Sequence, residues 1–176
     1  GFTATQLKNH FTLTELIAIG FTVAELKAAG YTVADLKEVE DDDDNIIFGF
    51  SLAELKAGGF TVAELKAEAF ATLMALINVG FTLAELKNDF TLFEFTNGNF
   101  FTLAELKNEY TVAQLKNHFT LTELIAVEFT LAELKAGGFT ATQLKNHFTL
   151  TELIAVGFTL AELKAAGFTA TELKND

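Results

Sequence analysis

The chain has no cysteine, proline, tryptophan or arginine, and its only serine is Ser51. Without cysteine there is no disulfide, no thiolate nucleophile and no Cys-based metal site. No apolar run reaches the ~18–20 residues that a membrane-spanning helix requires, so no membrane span is expected. Positive charge is scarce as well: 12 basic against 24 acidic side chains give a formal net charge of −12. Phosphate binding needs a basic surface, which argues against nucleic acid as a partner. The acidic excess favours solubility and leaves room for association bridged by divalent cations. The sequence starts at Gly1 with no Met and no signal peptide, which reads as a fragment, a processed chain or part of something longer. So reduced an alphabet suits a repeat array.

One local word does repeat: aromatic, Thr, two residues, Glu or Gln, then Leu and usually Lys. It opens at Phe2, Phe11, Phe21, Tyr31, Phe50, Phe60, Phe81, Phe90, Phe101, Tyr110, Phe119, Phe129, Phe139, Phe148, Phe158 and Phe168, mostly in units of 9 or 10 residues. Self-similarity at a short fixed period marks a solenoid or array. Half of the residues are hydrophobic, enough for a sizeable core, and one continuous array over 1–176 is expected rather than two domains.

Each unit reads as a complete helix start. In the unit that opens at Phe11, Thr12 fits the N-cap, Glu15 falls at N3 where it can reach back to the Thr12 amide, and Phe11 meets Leu16 as a hydrophobic staple. The same pairing fits Thr22/Glu25, Ser51/Glu54, Thr61/Glu64, Thr82/Glu85, Thr130/Glu133 and Thr159/Glu162. Gln6, Gln114 and Gln143 take the Glu role, and Asp35 is a weaker stand-in. A lone capping box says little, whereas boxes in phase along the chain specify short capped helices.

The stop signals agree. Gly20, Gly30, Gly59, Gly80, Gly138, Gly157 and Gly167 precede the next aromatic, and Asn9, Asn88, Asn108, Asn117, Asn146 and Asn175 lie near that point in other units. Gly and Asn are the residues that most readily take the left-handed conformation ending a helix. Helices of about seven residues, roughly 10 Å long, are expected; alone they are marginal and must stack.

A longer period lies above the short one. Units opening at Tyr110, Phe119 and Phe129 are repeated in order by those at Phe139, Phe148 and Phe158, and Phe2, Phe11 and Phe21 show the same triplet of 29 residues. Such a triplet reads as the structural repeat and as one superhelical turn. Ile154 replaces the usual Lys, implying a wider buried face for that helix, while Lys145 and Lys164 are left for solvent. Three stretches, 41–49, 70–80 and 90–100, read as degenerate units because the phase resumes after each. In the first, Ile46 takes the Leu slot and Asp42 is the cap candidate. In the second, Thr72 rather than Ala71 is placed to cap, leaving Leu76 at N4. The third carries Phe93, Phe95 and a turn-like Asn97-Gly98-Asn99.

A rival fold needs weighing. Ala161 to Ala170 also scans as two five-residue words and resembles the pentapeptide-repeat proteins, which form a four-sided right-handed β-helix. Units of varying length would break a strict five-residue rung, and Asn9, Asn88, Asn117 and Asn146 place polar groups at the inward position. The all-α solenoid of very short capped helices is the preferred reading.

Candidate chemistry is sparse. The run Asp41, Asp42, Asp43 and Asp44 invites a calcium reading, but it lacks the spacing, the sixth-position Gly and the closing Glu of an EF-hand loop, and it reads as a solvated acidic loop. His10, His118 and His147 share one position in their units. They read either as a metal-binding or pH-sensing ladder or, more simply, as cations beside helix C-termini. Regular Thr spacing suggests ice binding, yet Thr turned inward to cap is poorly placed for it. The Glu residues are accounted for by capping. No nucleophile–base pair, phosphate-cradling loop or cofactor fingerprint is present, so no catalytic, cofactor or metal site is assigned and no enzyme is expected.

The word resembles the tandem decapeptide arrays of Gly-Phe-Thr-x-x-Glu-Leu-Lys type found in long microbial and viral proteins of largely unassigned function. The resemblance covers nearly the whole chain, implies a repetitive scaffold and carries over no functional residue. Two function classes follow. One is a structural protein, a subunit or segment of a self-assembling filament, fibre or surface layer, which favours an extracellular or cell-surface location. The other is a monomeric solenoid that displays a face to a partner protein. Soluble solenoids need atypical polar end repeats, and here both terminal units are ordinary. Asp176 followed by Gly1-Phe2 continues the word, which favours head-to-tail association of the chain with itself.

Overall fold

The computed structural model describes residues 1–40 and 46–175, and it is an all-α solenoid of short helices. Two compact units, Gly1–Leu92 and Phe93–Asp176, are each built the same way. The first contains α1 (Ala4–Leu7), α2 (Leu13–Ala18), α3 (Val23–Ala28), α4 (Val33–Lys37), α5 (Leu52–Ala57), α6 (Val62–Ala67), α7 (Leu73–Asn78) and α8 (Leu83–Leu86). Helix α9 (Leu92–Asn97) begins at the boundary. The second contains α10 (Leu103–Lys107), α11 (Val112–Leu115), α12 (Leu121–Ala126), α13 (Leu131–Ala136), α14 (Ala141–Leu144), α15 (Leu150–Ala155), α16 (Leu160–Ala165) and α17 (Ala170–Asn175).

The capping boxes form as the sequence specifies. Thr149 donates its amide to Glu152 at 2.7 Å, and Glu152 returns its own amide to the Thr149 hydroxyl at 3.3 Å. Gln and Asp do the same work: Thr140 donates to Gln143 at 2.9 Å and Thr32 to Asp35 at 2.7 Å. Thr72 caps α7, as its one-residue shift requires, and its hydroxyl accepts from the Ala75 amide at 3.2 Å.

The helix ends fall into two classes that track unit length. Ten-residue units close on a Schellman motif. Gly157 (φ 84°) donates to Ile154 at 2.8 Å and Phe158 donates to Leu153 at 3.1 Å. Nine-residue units close earlier: the Leu144 carbonyl accepts from both His147 at 2.9 Å and Phe148 at 3.1 Å, and no left-handed residue is needed. This corrects the role expected of Asn9, Asn88, Asn108, Asn117 and Asn146. Among the described residues, positive φ outside glycine occurs only at Ala69 (51°), Asn99 (50°) and Glu128 (63°), all ahead of an aromatic. Because the closing motif takes up the last turn, the helices span four to six residues rather than seven.

The slot at 41–49 departs from expectation. Here β1 (Val39–Glu40) pairs antiparallel with β2 (Ile46–Phe48), Val39 opposite Phe48 and Glu40 opposite Ile46. An Ile-Ile-Phe run suits a pleated strand better than a helix start. Asp42, expected as a cap, lies outside the described residues. The hairpin is an insertion inside the closing turn of one unit, because the Phe50 amide still donates to Leu36 at 2.9 Å, the bond that Tyr31 makes to Leu26. That is why the phase resumes at Phe50.

Stacking runs between alternate helices: α1 packs on α3 and α3 on α5 in the first unit, and α11 packs on α13 and α14 on α16 in the second. The through-space repeat is thus two units of the word. The 29-residue triplet, expected to make one superhelical turn, is a repeat of composition laid over that stacking. The Leu at N4 forms the core of every step, and Leu16, Leu26, Leu55, Leu86, Leu124 and Leu153 are all fully buried. Each contributes roughly 1.5–3 kcal/mol relative to exposure. Phe95 fills the same slot in 90–100 and meets Phe101 edge-on, ring centres 5.4 Å apart. Ile154 does not widen a buried face as expected, since it is 41% exposed.

Candidate functional site

A lysine after the N4 leucine, the position where Lys145 and Lys164 are expected to face solvent, ties one layer to the next at many steps, although Lys164 is exposed as expected. Its helix is too short to hold it away from the layer above, and the stacked helix presents unpaired carbonyls at its C-terminal end. Lys8, the C-cap of α1, donates to Ala29 and Gly30 at 3.2 and 3.3 Å, beyond the end of α3, and its ammonium lies 4.4 Å over the Tyr31 ring. Lys107 of α10 donates to Val127 and Glu128 at 2.9 and 2.8 Å and lies 5.0 Å over Phe129. Lys56 reaches Val79 and Phe81 in the same way, Lys66 reaches Asp89 and Phe90, and Lys135 reaches Val156 and Phe158. Lys145, assigned to solvent from the sequence, donates to Ala166 at 2.7 Å. Lys27 shows the same clamp with the hairpin inserted: it donates to Gly59, lies 4.6 Å over Phe60 and pairs with Glu64 at 2.8 Å.

Clamping and burial go together. Phe60, Phe81, Phe90, Phe129 and Phe158, each beneath a lysine, are all buried, and Tyr31 beneath Lys8 is half-buried, whereas Phe2 is 76% and Phe11 44% exposed. Where Thr96 stands in place of the lysine, its hydroxyl meets Nδ1 of His118 at 3.2 Å. His10 and His147 lie at the surface just past helix ends, as does His118.

A second rule of the stack is steric. Val112 opens α11 and faces Gly137, where an added Cβ would collide with the valine side chain, and Val23 faces Gly58 in the same way. Where the opening residue is Ala4 or Ala141, the position equivalent to Gly137 is Ala29 or Ala166, and all four are buried. The sequence carries this size pairing at a spacing of two units, but it is visible only once the partner is known.

The capping carboxylates have depressed pKa values. The Ser51 hydroxyl and amide hold Glu54 below the usual carboxylate range, and the Thr149 pair does the same for Glu152. At Glu64, burial pushes upward, but the hydrogen bonds from Lys27 and Thr61 outweigh it and leave the carboxyl lowered. The capping threonines are exposed rather than turned inward, with their hydroxyls engaged by these carboxylates, as in Thr130 to Glu133 at 2.6 Å.

The surface grooves repeat with the stack. One is lined by Thr111, Val112, Phe129, Glu133 and Gly137, another by Thr22, Val23, Phe50, Glu54 and Gly58, the same residue types in the same register. They are the seams between stacked helices. Among the described residues no group of three or more His, Asp or Glu is placed to hold a metal ion, and the aspartates at 41–44 lie outside them. No helix among the described residues is long and apolar enough to cross a membrane. No family model, curated protein or solved structure matches the chain.

Proposed function

We propose that the chain is a structural repeat protein whose copies associate end to end into a filament, fibre or surface layer. The observation that carries this reading is that one stacking surface recurs in unit after unit along the chain. The N4 leucines from Leu16 to Leu153 are fully buried against neighbouring units, and the lysine clamp on the next layer recurs from Lys8 to Lys135. A second copy carries the same surface, so association repeats the internal packing and needs no new chemistry. A head-to-tail contact of this kind does not close on itself and grows into a filament. The acidic surface keeps free copies apart until stacking engages, with divalent cations available to screen it. A fibre or layer of this kind belongs outside the cell or on its surface.

The test is electron microscopy of the purified chain beside a variant extended at one end by a unit whose outer face is polar. Long particles from the native chain and short, soluble ones from the extended chain support the proposal. A native chain that stays monomeric at high concentration contradicts it and favours a solenoid that presents its face to another protein.

A further inference from the structure

Asn97-Gly98 is the only asparagine–glycine step in the sequence. Asn97 is the last residue of α9 and is exposed. Gly98 follows it into the closing turn, where Asn99 is left-handed and the Phe100 amide donates to Phe95 at 3.1 Å. Packing fixes the glycine, because a Cβ at Gly98 would collide with the Phe100 ring. The same requirement leaves the Gly98 amide nitrogen with no side chain to shield it. Helix α7 supplies a comparison within the chain. Asn78 is also exposed and also ends a six-residue helix, and its unit closes alike, with Gly80 left-handed and Phe81 donating to Leu76 at 3.0 Å. There the next residue is Val79, branched and stiff at Cβ, and its amide donates to Ala75 at 3.1 Å.

We propose that Asn97 is a site of spontaneous deamidation in the folded chain, a modification independent of the end-to-end reading. The Gly98 amide nitrogen attacks the carbonyl carbon of the Asn97 side chain. A C–N bond forms, the bond to the side-chain nitrogen breaks, and that nitrogen takes up the Gly98 amide proton and leaves as ammonia. Water then opens the cyclic imide at either carbonyl, giving aspartate or isoaspartate, and no other reactant is needed. The attack requires Asn97 to turn out of its helical setting, which costs little at the fraying last residue of a short helix. Both products place a carboxylate at the C-terminal end of α9, where the helix dipole disfavours an anion. Isoaspartate also lengthens the main chain just before Phe100 and Phe101, and Phe101 is the ring that meets Phe95 in the core. The modification therefore loosens this unit of the stack as the protein ages.

The test is mass spectrometry of the full chain after storage, folded, at mildly alkaline pH. Cleavage after lysine places Asn78 in peptide 67–87 and Asn97 in peptide 88–107, so one sample reads both, and fragmentation locates the change. Amide-to-acid conversion at Asn97 is expected to run about tenfold or more faster than at Asn78, with two product isomers of equal mass. The stored chain should also melt lower than a fresh one. Stored Asn97→Ala should not, and it should fold normally, because Ala136 and Ala155 end α13 and α15 at the same position. Conversion at Asn97 no faster than at Asn78, or conversion only after the chain is unfolded in urea, overturns the proposal. Conversion without a change in melting overturns the loosening of the unit. Whether the chain forms filaments affects neither result.

Discussion

The ammonium of Lys135 lies 4.7 Å from the centre of the Phe158 ring while it donates to the Val156 carbonyl at 2.9 Å. One side chain thus closes the end of α15 and covers the ring that opens the next unit. Lys135→Ala is expected to lower stability by about 1–2 kcal/mol, combining a charge-assisted hydrogen bond with a cation–π interaction at a half-exposed site. Lys164→Ala, which breaks no interaction within the chain, is expected to stay within about 0.5 kcal/mol. Urea denaturation of the two variants distinguishes them, and equal effects would remove the clamp from the account.

Leu153 is fully buried, and Leu153→Ala is expected to cost about 2–5 kcal/mol through lost transfer energy and the cavity left behind. Phe148, half-buried at the opening of the same unit, should cost less when truncated, yet more than Lys164→Ala. Melting temperatures ranked in that order support a core of aromatic and N4 leucine.

Glu128 occupies the left-handed position that glycine fills elsewhere, with φ 63°. A left-handed residue with a Cβ costs roughly 1–2 kcal/mol, partly offset in a glycine variant by greater freedom of the unfolded chain. Glu128→Gly is therefore expected to raise stability by about 0.5–1 kcal/mol, and Gly157→Ala to lower it by about 1 kcal/mol. Calorimetry of both variants checks the opposite signs.

Gly137 and Val112 form a size pair. Gly137→Ala alone is expected to cost about 1–3 kcal/mol by overpacking. Adding Val112→Ala recreates the Ala141/Ala166 arrangement and should recover most of that loss, so the double-mutant cycle gives a favourable coupling. Additive effects would mean that the two residues do not pack together.

Acid should unfold the stack. Glu54, Glu105, Glu123, Glu152 and Glu162 are all held low by the hydroxyl and amide of their cap residues. A carboxyl depressed in the folded state contributes stability that is full above the unfolded value, about 4.3 for Glu, and is lost as pH falls through the lower folded value. The melting temperature is therefore expected to hold near neutral pH and to fall below about pH 4.3. Glu123→Gln/Glu152→Gln should flatten that fall, because Gln143 makes the same capping bonds without titrating.

The local structure was legible in the sequence because each unit states its own start and stop. Thr149 and Glu152 lie three residues apart, and the amide–carboxylate exchange between them follows from spacing alone. The stacking was less legible. Lys145 reads as a solvated residue until its helix is seen to end below the Ala166 carbonyl, a partner 21 residues away that no local pattern indicates. The triplet in composition drew attention from the two-unit repeat in space, and the hairpin at β1 and β2 was hidden by its near-unit length. Asn146 misled for a related reason: its propensity for left-handed φ is real, but the nine-residue unit closes on a shared Leu144 carbonyl and leaves that propensity unused.

The central claim is that helices of four to six residues exist here because their neighbours hold them. Circular dichroism of the whole chain, set beside a synthetic peptide covering the single unit 148–157, tests it most directly. The account predicts a helical spectrum for the chain and an unfolded one for the peptide, despite its intact capping box. A peptide as helical as the chain, or a chain with a β-dominated spectrum, would contradict it.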